Sequence, residues 1–268
     1  MMFLELLQYS FIQKALIAGI LVAFASPIVG IFLILKKMSV IGDGLAHVAF
    51  GGVSLGLFLG IYPMLVALIA SILSAIGIMK IRSSSKISGD AAIAIFLSAG
   101  LALGMIFIGL TNGFSIDIFS ILFGSILLVT TQDLYLITLI TSLVILVMLL
   151  FIKIFFFITV DEEAAQASGI STTPYNYLLA ILTAILIVAC IRVVGILLVS
   201  SLIVIPNLAS MQLNFGFKKT LITAIIFSEL SVVLGILLSF ATNLVTSGTI
   251  VFISISFLIL TLIKKRFI

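Results

Sequence analysis

A chain of 268 residues in which 63% are hydrophobic and only 8% are charged excludes a soluble globular protein, which carries about 25% charged residues and needs them to cover its surface. Lipid accepts apolar side chains directly, so the composition points to an integral membrane protein. The net charge of +4 does not call for nucleic acid, because juxtamembrane Lys and Arg on the cytoplasmic side give the same excess.

The single cysteine, Cys190, allows neither an intrachain disulfide nor a thiolate metal cluster. It reads as a small buried hydrophobe. The first residues lack a basic stretch, a short apolar run and a small-residue cleavage site, so no cleavable signal peptide is expected.

Apolar stretches able to span a ~30 Å hydrocarbon core are predicted at residues 15–35, 40–59, 64–79, 91–110, 134–157, 177–191, 195–208, 221–240 and 250–263. The expected fold class is all-α, a polytopic transmembrane helix bundle of about nine spans. A further apolar piece, 118–129, is too short to cross comfortably at about 1.5 Å per residue. It is expected as a re-entrant or interfacial helix whose ends are covered by protein or water. Small residues such as Gly51, Gly52, Gly56, Gly100 and Gly104 let neighbouring helices approach closely. Pro206 is expected to break or kink its helix.

Basic residues set the orientation. Lys36 and Lys37, then Lys80, Arg82 and Lys86, then Lys218 and Lys219, then Lys264, Lys265 and Arg266 all fall on one side if nine segments cross and 118–129 does not. The positive-inside rule makes that side cytoplasmic, with the amino terminus outside and the carboxyl terminus inside. The longest polar interruption, 160–175, then lies in the cytoplasm. Asp161, Glu162 and Glu163 open a short Ala-rich helix there, where acids complement the helix dipole. Gly169 is placed to end it and Pro174 to begin the next span. It reads as a solvated connector or as a docking helix for a cytoplasmic partner.

Ionisable groups inside a span cost about 2.5–3.5 kcal/mol at a helix centre on insertion scales and so mark function. Asp43 and His47 stand out in S-V-I-G-D-G-L-A-H-V-A-F-G-G. Their i, i+4 spacing puts both side chains on one helix face. Ten residues past Lys37, or about 15 Å of continuous helix, would carry His47 close to the bilayer midplane. Carboxylate oxygen with imidazole nitrogen suits a borderline divalent ion such as zinc or manganese. Two ligands are too few for a stable site; a symmetric homodimer would supply four. Mutual hydrogen bonding, a proton relay and helix capping by Asp43 are the competing readings. Glu229, ten residues past Lys219, either lines the pathway or pairs with a neighbouring polar group. Arg192 and Lys153 lie near span ends and can snorkel, while Asp90, Asp117 and Asp133 read as capping residues.

The sequence contains no G-x-x-x-x-G-K-[ST] phosphate loop, so ATP-driven work would need another polypeptide. With one histidine and no nucleophile–base set, no catalytic site is expected.

L-K-K-M-S-V-I-G-D-G-L-A-H-V-A-F-G-G-V-S-L-G resembles the signature of the permease subunits of zinc and manganese ABC importers. D-I-F-S-I-L-F-G-S-I-L-L-V-T-T-Q-D-L from Asp117, R-V-V-G-I-L-L-V-S-S-L-I-V-I-P from Arg192 and S-G-T-I-V from Ser247 extend the likeness along nearly the whole chain. The resemblance implies one transmembrane domain over 1–268, acting as a homodimer in the bacterial cell membrane. Its partners would be two cytoplasmic ABC ATPase subunits and an extracytoplasmic metal-binding protein. It implies that Asp43 and His47 contact the ion and that Asp161, Glu162, Glu163, Ala164, Ala165, Gln166, Ala167, Ser168 and Gly169 form the segment coupled to the ATPase. No permanently bound cofactor is implied, only a transported zinc or manganese ion. Y-S-F-I-Q-K-A-L-I-A-G near the amino terminus is similar to the zinc branch, so zinc is expected first. I-P-N-L-A-S departs from the family pattern I-P-A-A-T-A and leaves Asn207 without an assigned role. The alternatives are an ion-coupled secondary carrier working without an ATPase and an ABC permease for siderophore or cobalamin.

Overall fold

The computed structural model describes residues 9–84, 87–111, 116–124 and 129–266, without the side chains of 84, 116–119, 192, 265 and 266. Its regular elements are helices: α1 (Ser10–Leu35), α2 (Ile41–Leu59), α3 (Pro63–Ser84), α4 (Gly89–Leu110), α5 (Ile116–Phe123), α6 (Thr131–Val160), α7 (Glu162–Ala167), α8 (Thr172–Val194), α9 (Val199–Met211), α10 (Phe217–Thr242) and α11 (Thr246–Arg266). All except α5, α7 and α9 are long and apolar enough to cross a membrane. Leu73, Met105, Leu139, Leu150 and Phe252 are each more than 60% exposed, a surface that drives aggregation in water and is at rest in lipid. The protein is a multi-pass membrane helix bundle.

The ninth expected span needs correction. Gly195 adopts φ +80 and breaks the chain after α8, and α9 starts only after Leu198. The 13 residues of α9 reach about 20 Å, short of a full crossing. The charge pattern still asks the chain to return between Val194 and Lys218, so the non-helical flanks must share the crossing. Such backbone is tolerated at membrane depth where protein covers it. Of the break or kink expected at Pro206, the break does not occur: α9 runs through it. One turn before Asn207, the Ile203 carbonyl accepts a hydrogen bond from Asn207 Nδ2 at 2.8 Å. Asn207 is fully buried, and a Cβ on Gly30 of α1 would collide with the same Ile203 carbonyl. The residue left unassigned by sequence is thus a packing element of the α1–α9 contact.

The chain forms two compact units. The first comprises Met1–Ile31, Ile116–Leu143 and Ala189–Ile268. In it α5 has eight residues, about 12 Å, too few to cross; of the 118–129 piece, residues 125–128 lie outside the described residues. The last carbonyls of a helix need partners, and here Ile196 N donates to Ile121 O (3.0 Å) and Leu197 N to Leu122 O (3.2 Å). Ser247 Oγ donates to Phe123 O. Three separate family-like stretches, from Asp117, Arg192 and Ser247, therefore meet at one helix end. Cys190 is fully buried, 3.8 Å from Ser26 Oγ, as expected of a small hydrophobe.

The second unit comprises Phe32–Ser115 and Val144–Val188. Its centre is α2, wedged between α3 and α4 by small residues. A Cβ on Gly52 would lie 2.7 Å from Ala67 Cα, one on Gly56 2.7 Å from Pro63 Cα, and one on Gly51 2.8 Å from the Gly100 carbonyl. A Cβ on Gly100 would in turn lie 2.6 Å from the His47 carbonyl. Close backbone approach of this kind is what small residues provide where lipid supplies no hydrophobic drive.

Among the acids expected to cap, Asp133 shares a reciprocal box with Thr130: its Oδ2 accepts from Thr130 N at 3.1 Å, while Thr130 Oγ1 accepts from Asp133 N at 3.1 Å. At α4 the N-cap is Ser88, whose hydroxyl accepts from Ala91 N at 3.3 Å. Asp90 stands in the first turn beside it. The side chains of Asp117 and Arg192 lie outside those described, and Lys153 is exposed on α6.

Candidate functional site

The site is built from the end of α1 upward. Lys37 takes φ +56, Lys37 N donates to Ile34 O (3.0 Å), and Met38 N donates to Leu33 O (2.8 Å). This paired closure terminates the helix with a left-handed residue, a place glycine usually fills. The tight turn that follows delivers the chain to α2 within five residues.

Asp43 stands in the first turn of α2, and Val40, not Asp43, holds the N-cap position. His47 lies six residues past Ile41, about 9 Å along the axis. The pair therefore sits in the first third of a helix about 28 Å long, not at its middle. Lys36 to Val40 form a turn, so the ten residues after Lys37 are not all helix.

Asp43 and His47 are both half-buried. The Nδ1 of His47 is buried and has no hydrogen-bond partner, which removes the mutual-satisfaction reading at that atom. No group of three or more His, Cys, Asp or Glu side chains able to hold a metal occurs among the described residues. One chain thus offers this place two side chains, an oxygen donor and a nitrogen donor one turn apart. Glu229 belongs to the first unit and is half-buried midway along the 26-residue α10. Lys219 and Glu229 share one continuous helix, so about 15 Å of axis separates them.

The second candidate region is α7. Asp161 is its N-cap, with Oδ1 accepting from Ala164 N at 2.9 Å. At the other end Gly169 adopts φ +85, Gly169 N donates to Gln166 O (2.9 Å), and Ile170 N donates to Ala165 O (3.0 Å). That is a full Schellman closure. Ala165 is buried, whereas Asp161, Glu162, Glu163, Gln166, Ala167, Ser168 and Gly169 are exposed. A six-residue helix is too short to persist on propensity alone. Its two caps and its attachments hold it.

Sequence reasoning missed those attachments. Lys36 Nζ donates to Asn176 Oδ1 (2.5 Å) and reaches Glu162 Oε2 (3.4 Å), and Asn176 Nδ2 donates to Glu162 Oε1 (2.9 Å). Gln166 Nε2 donates to Thr172 Oγ1 at 3.0 Å. Lys36 had counted only as a marker of orientation, and 126 residues of chain separate it from Glu162. Burial pulls the Lys36 amine below its usual value, with Glu162 opposing. Burial pushes the Glu162 carboxyl up, but the Asn176 hydrogen bond and the Lys36 charge outweigh it and hold the group below 4.5. The two directions disagree about what the pair favours. Exposure explains it: 8% of the Lys36 side chain and 43% of the Glu162 side chain meet solvent, so desolvation wins only at lysine.

A model of the ABC 3 transport family matches residues 8–265. The chain belongs to this family. Over 255 residues it is 34% identical to the manganese transport system membrane protein MntC of Listeria monocytogenes, covering 95% of this chain and 91% of that one. It is 29% identical over 258 residues to the high-affinity zinc uptake system membrane protein ZnuB of Haemophilus influenzae, covering 96% and 99%. The solved structure of PsaBC from Streptococcus pneumoniae in complex with Fab superposes with a TM-score of 0.86 at 32% identity, covering 96% of this chain and 92% of that chain. As a member of the ABC 3 family, the chain is a membrane permease subunit of a transport system.

Proposed function

We propose that this permease carries a divalent transition metal ion inward, driven by ATP hydrolysis on a separate subunit. The observation that carries the reading is His47: a buried, unpartnered imidazole nitrogen one helical turn from Asp43, on a helix fixed by backbone-to-backbone packing. Two weak ligands per chain suit an ion in transit, which must leave as readily as it arrives. A homodimer would bring two Asp43 and two His47 to the path, and Glu229 is a further pathway candidate. The whole chain, 1–268, acts as one transmembrane domain in this reading, with an extracytoplasmic metal-binding protein delivering the ion. The exposed face of α7 meets the ATPase, one copy per permease chain. No cofactor is held permanently; the metal is cargo.

Zinc is proposed as the first substrate, on the amino-terminal likeness to the zinc branch. A second reading, manganese, is favoured by relatives such as MntC and ScaB, whose names specify manganese. The test is uptake of labelled zinc and manganese by cells lacking their own importer and complemented with this permease, its ATPase and its binding protein. His47→Ala and Asp43→Ala are expected to abolish uptake at normal membrane level and normal ATPase association. Undiminished uptake in both variants would remove the metal role from the pair.

A further inference from the structure

The residues of α7 and those of α2 are joined through a single buried side chain. Lys36 ends α1 and starts the tight turn into α2, seven residues before Asp43. Its ammonium passes beneath α7 to Asn176 Oδ1 and Glu162 Oε2, and Asn176 closes the triangle by donating to the other Glu162 oxygen. Glu162 is the first residue of α7 and Asn176 lies in the first turns of α8. One cation therefore fastens both ends of the α7 connector to the turn that supports the Asp43 and His47 helix.

Aromatic packing makes the same junction stiff. Phe32 of α1 meets Phe155 of α6 at 5.7 Å, and Tyr175 of α8 packs edge-on against both Phe155 (6.2 Å) and Phe151 (5.8 Å). These rings tie the end of α1, α6 and the start of α8 together next to the residues that hold Lys36. The turn itself is braced by the hydrogen bonds that close α1.

We propose that Lys36, held by Glu162 and Asn176, is the coupling tie through which movement of α7 reaches the metal-contacting helix α2. Lys36 is a positioning residue: it touches neither metal nor nucleotide, and it acts by making α7 and the α1–α2 turn move together. Electrostatics favours this role over simple stabilisation. A buried ammonium carries a desolvation cost that one exposed carboxylate repays only in part. An apolar side chain of similar length would hold the bundle at least as well. Orientation asks only for a positive charge at this end of α1, not for one buried against Glu162 and Asn176.

The inference rests on the ATP-driven reading above, and one experiment separates the two. The permease, its ATPase and its metal-binding protein are reconstituted in liposomes, and metal uptake and ATP hydrolysis are measured together. Wild type without the ATPase is a control arm; uptake there would overturn the ATP-driven reading itself. Lys36→Met keeps the stem and removes the charge, and Asn176→Leu keeps the bulk and removes both hydrogen bonds that close the tie. Each is expected to leave thermal stability and ATP hydrolysis near wild type while ions moved per ATP fall about fivefold or more, the lower end of typical coupling. The double variant is expected to be no worse than either single, because both break one connection. Lys37→Met, at an exposed neighbouring lysine, is expected to leave the ratio unchanged. The proposal is overturned if the ratio survives in Lys36→Met, if uptake and hydrolysis fall in proportion with loss of stability, if the two single effects multiply, or if Lys37→Met uncouples equally.

Discussion

Helices α2 and α7 lie in the same compact unit and are held in opposite ways. Most of α2 is buried, and it is fixed by glycine-lined contacts where its backbone meets the backbones of α3 and α4. By contrast α7 is six residues long, mostly exposed, and fixed by caps at both ends and a few polar ties. The contrast suits the work proposed for each segment. A place that must present two ligands in a fixed geometry within lipid needs packing that does not yield. A surface that meets a partner in water needs exposure, and local hydrogen bonds are enough to keep its shape.

The largest expected effect is at the rigid side of this comparison. Gly100→Leu would drive a side chain into the His47 carbonyl, 2.6 Å from where its Cβ begins. Overpacking of this kind costs about 1–3 kcal/mol or more. Loss of folded protein from the membrane and a lower unfolding temperature in detergent should follow, with uptake falling in step. Full-length, thermally unchanged protein with this substitution would show that α2 is looser than its contacts imply.

The exposed side should respond more gently. Gly169→Ala places a Cβ on a residue at φ +85, at a cost of about 1–2 kcal/mol. No atom lies within 4 Å of that Cβ, so the strain is purely conformational. Global stability should barely change, while ATPase association, read by co-purification, weakens severalfold. Asp161→Ala removes the cap on Ala164 N and should cost α7 about 1 kcal/mol. Asp161→Ser should restore most of the association, since a hydroxyl caps as well.

The smallest effect is one of pH. The Glu162 carboxyl is held below its ordinary value of 4.5 by Asn176 and Lys36 against the push of burial. A group depressed in the folded state contributes stability above its unfolded value and loses it as pH falls through the folded value. Amide exchange in α7, taken relative to the intrinsic rate at each pH, should therefore stay slow through neutral and mildly acid pH and rise only as pH falls below the ordinary carboxylate value of 4.5. Glu162→Gln should abolish that acid-dependent rise and leave exchange in α2 as it was.

How much of this was legible in the chain differs between the two regions. The caps of α7 could be read directly, because Asp161 and Gly169 act on backbone groups only a few residues away. The same holds for the i, i+4 relation of Asp43 and His47. The place of that pair along its helix could not be read, since counting from Lys37 presumed a helix where Lys37 at positive φ makes a turn. The helix at 195–208 is shorter than expected for a similar reason: apolar composition fixes residence in the membrane but not where a left-handed glycine interrupts the helix.

By itself the sequence determined the helical class, residence in lipid, the family and the local form of the two segments proposed to carry function. These depend on composition, on short periodicities and on local backbone capping, all of which act between residues close along the chain. Only the tertiary structure decided that Asn207 packs against α1, that two distant stretches close the end of α5, and that Lys36 joins α7 to the turn before Asp43. Each of these contacts links positions far apart in sequence, where direction and distance are set by how the helices pack and leave no period or motif to read.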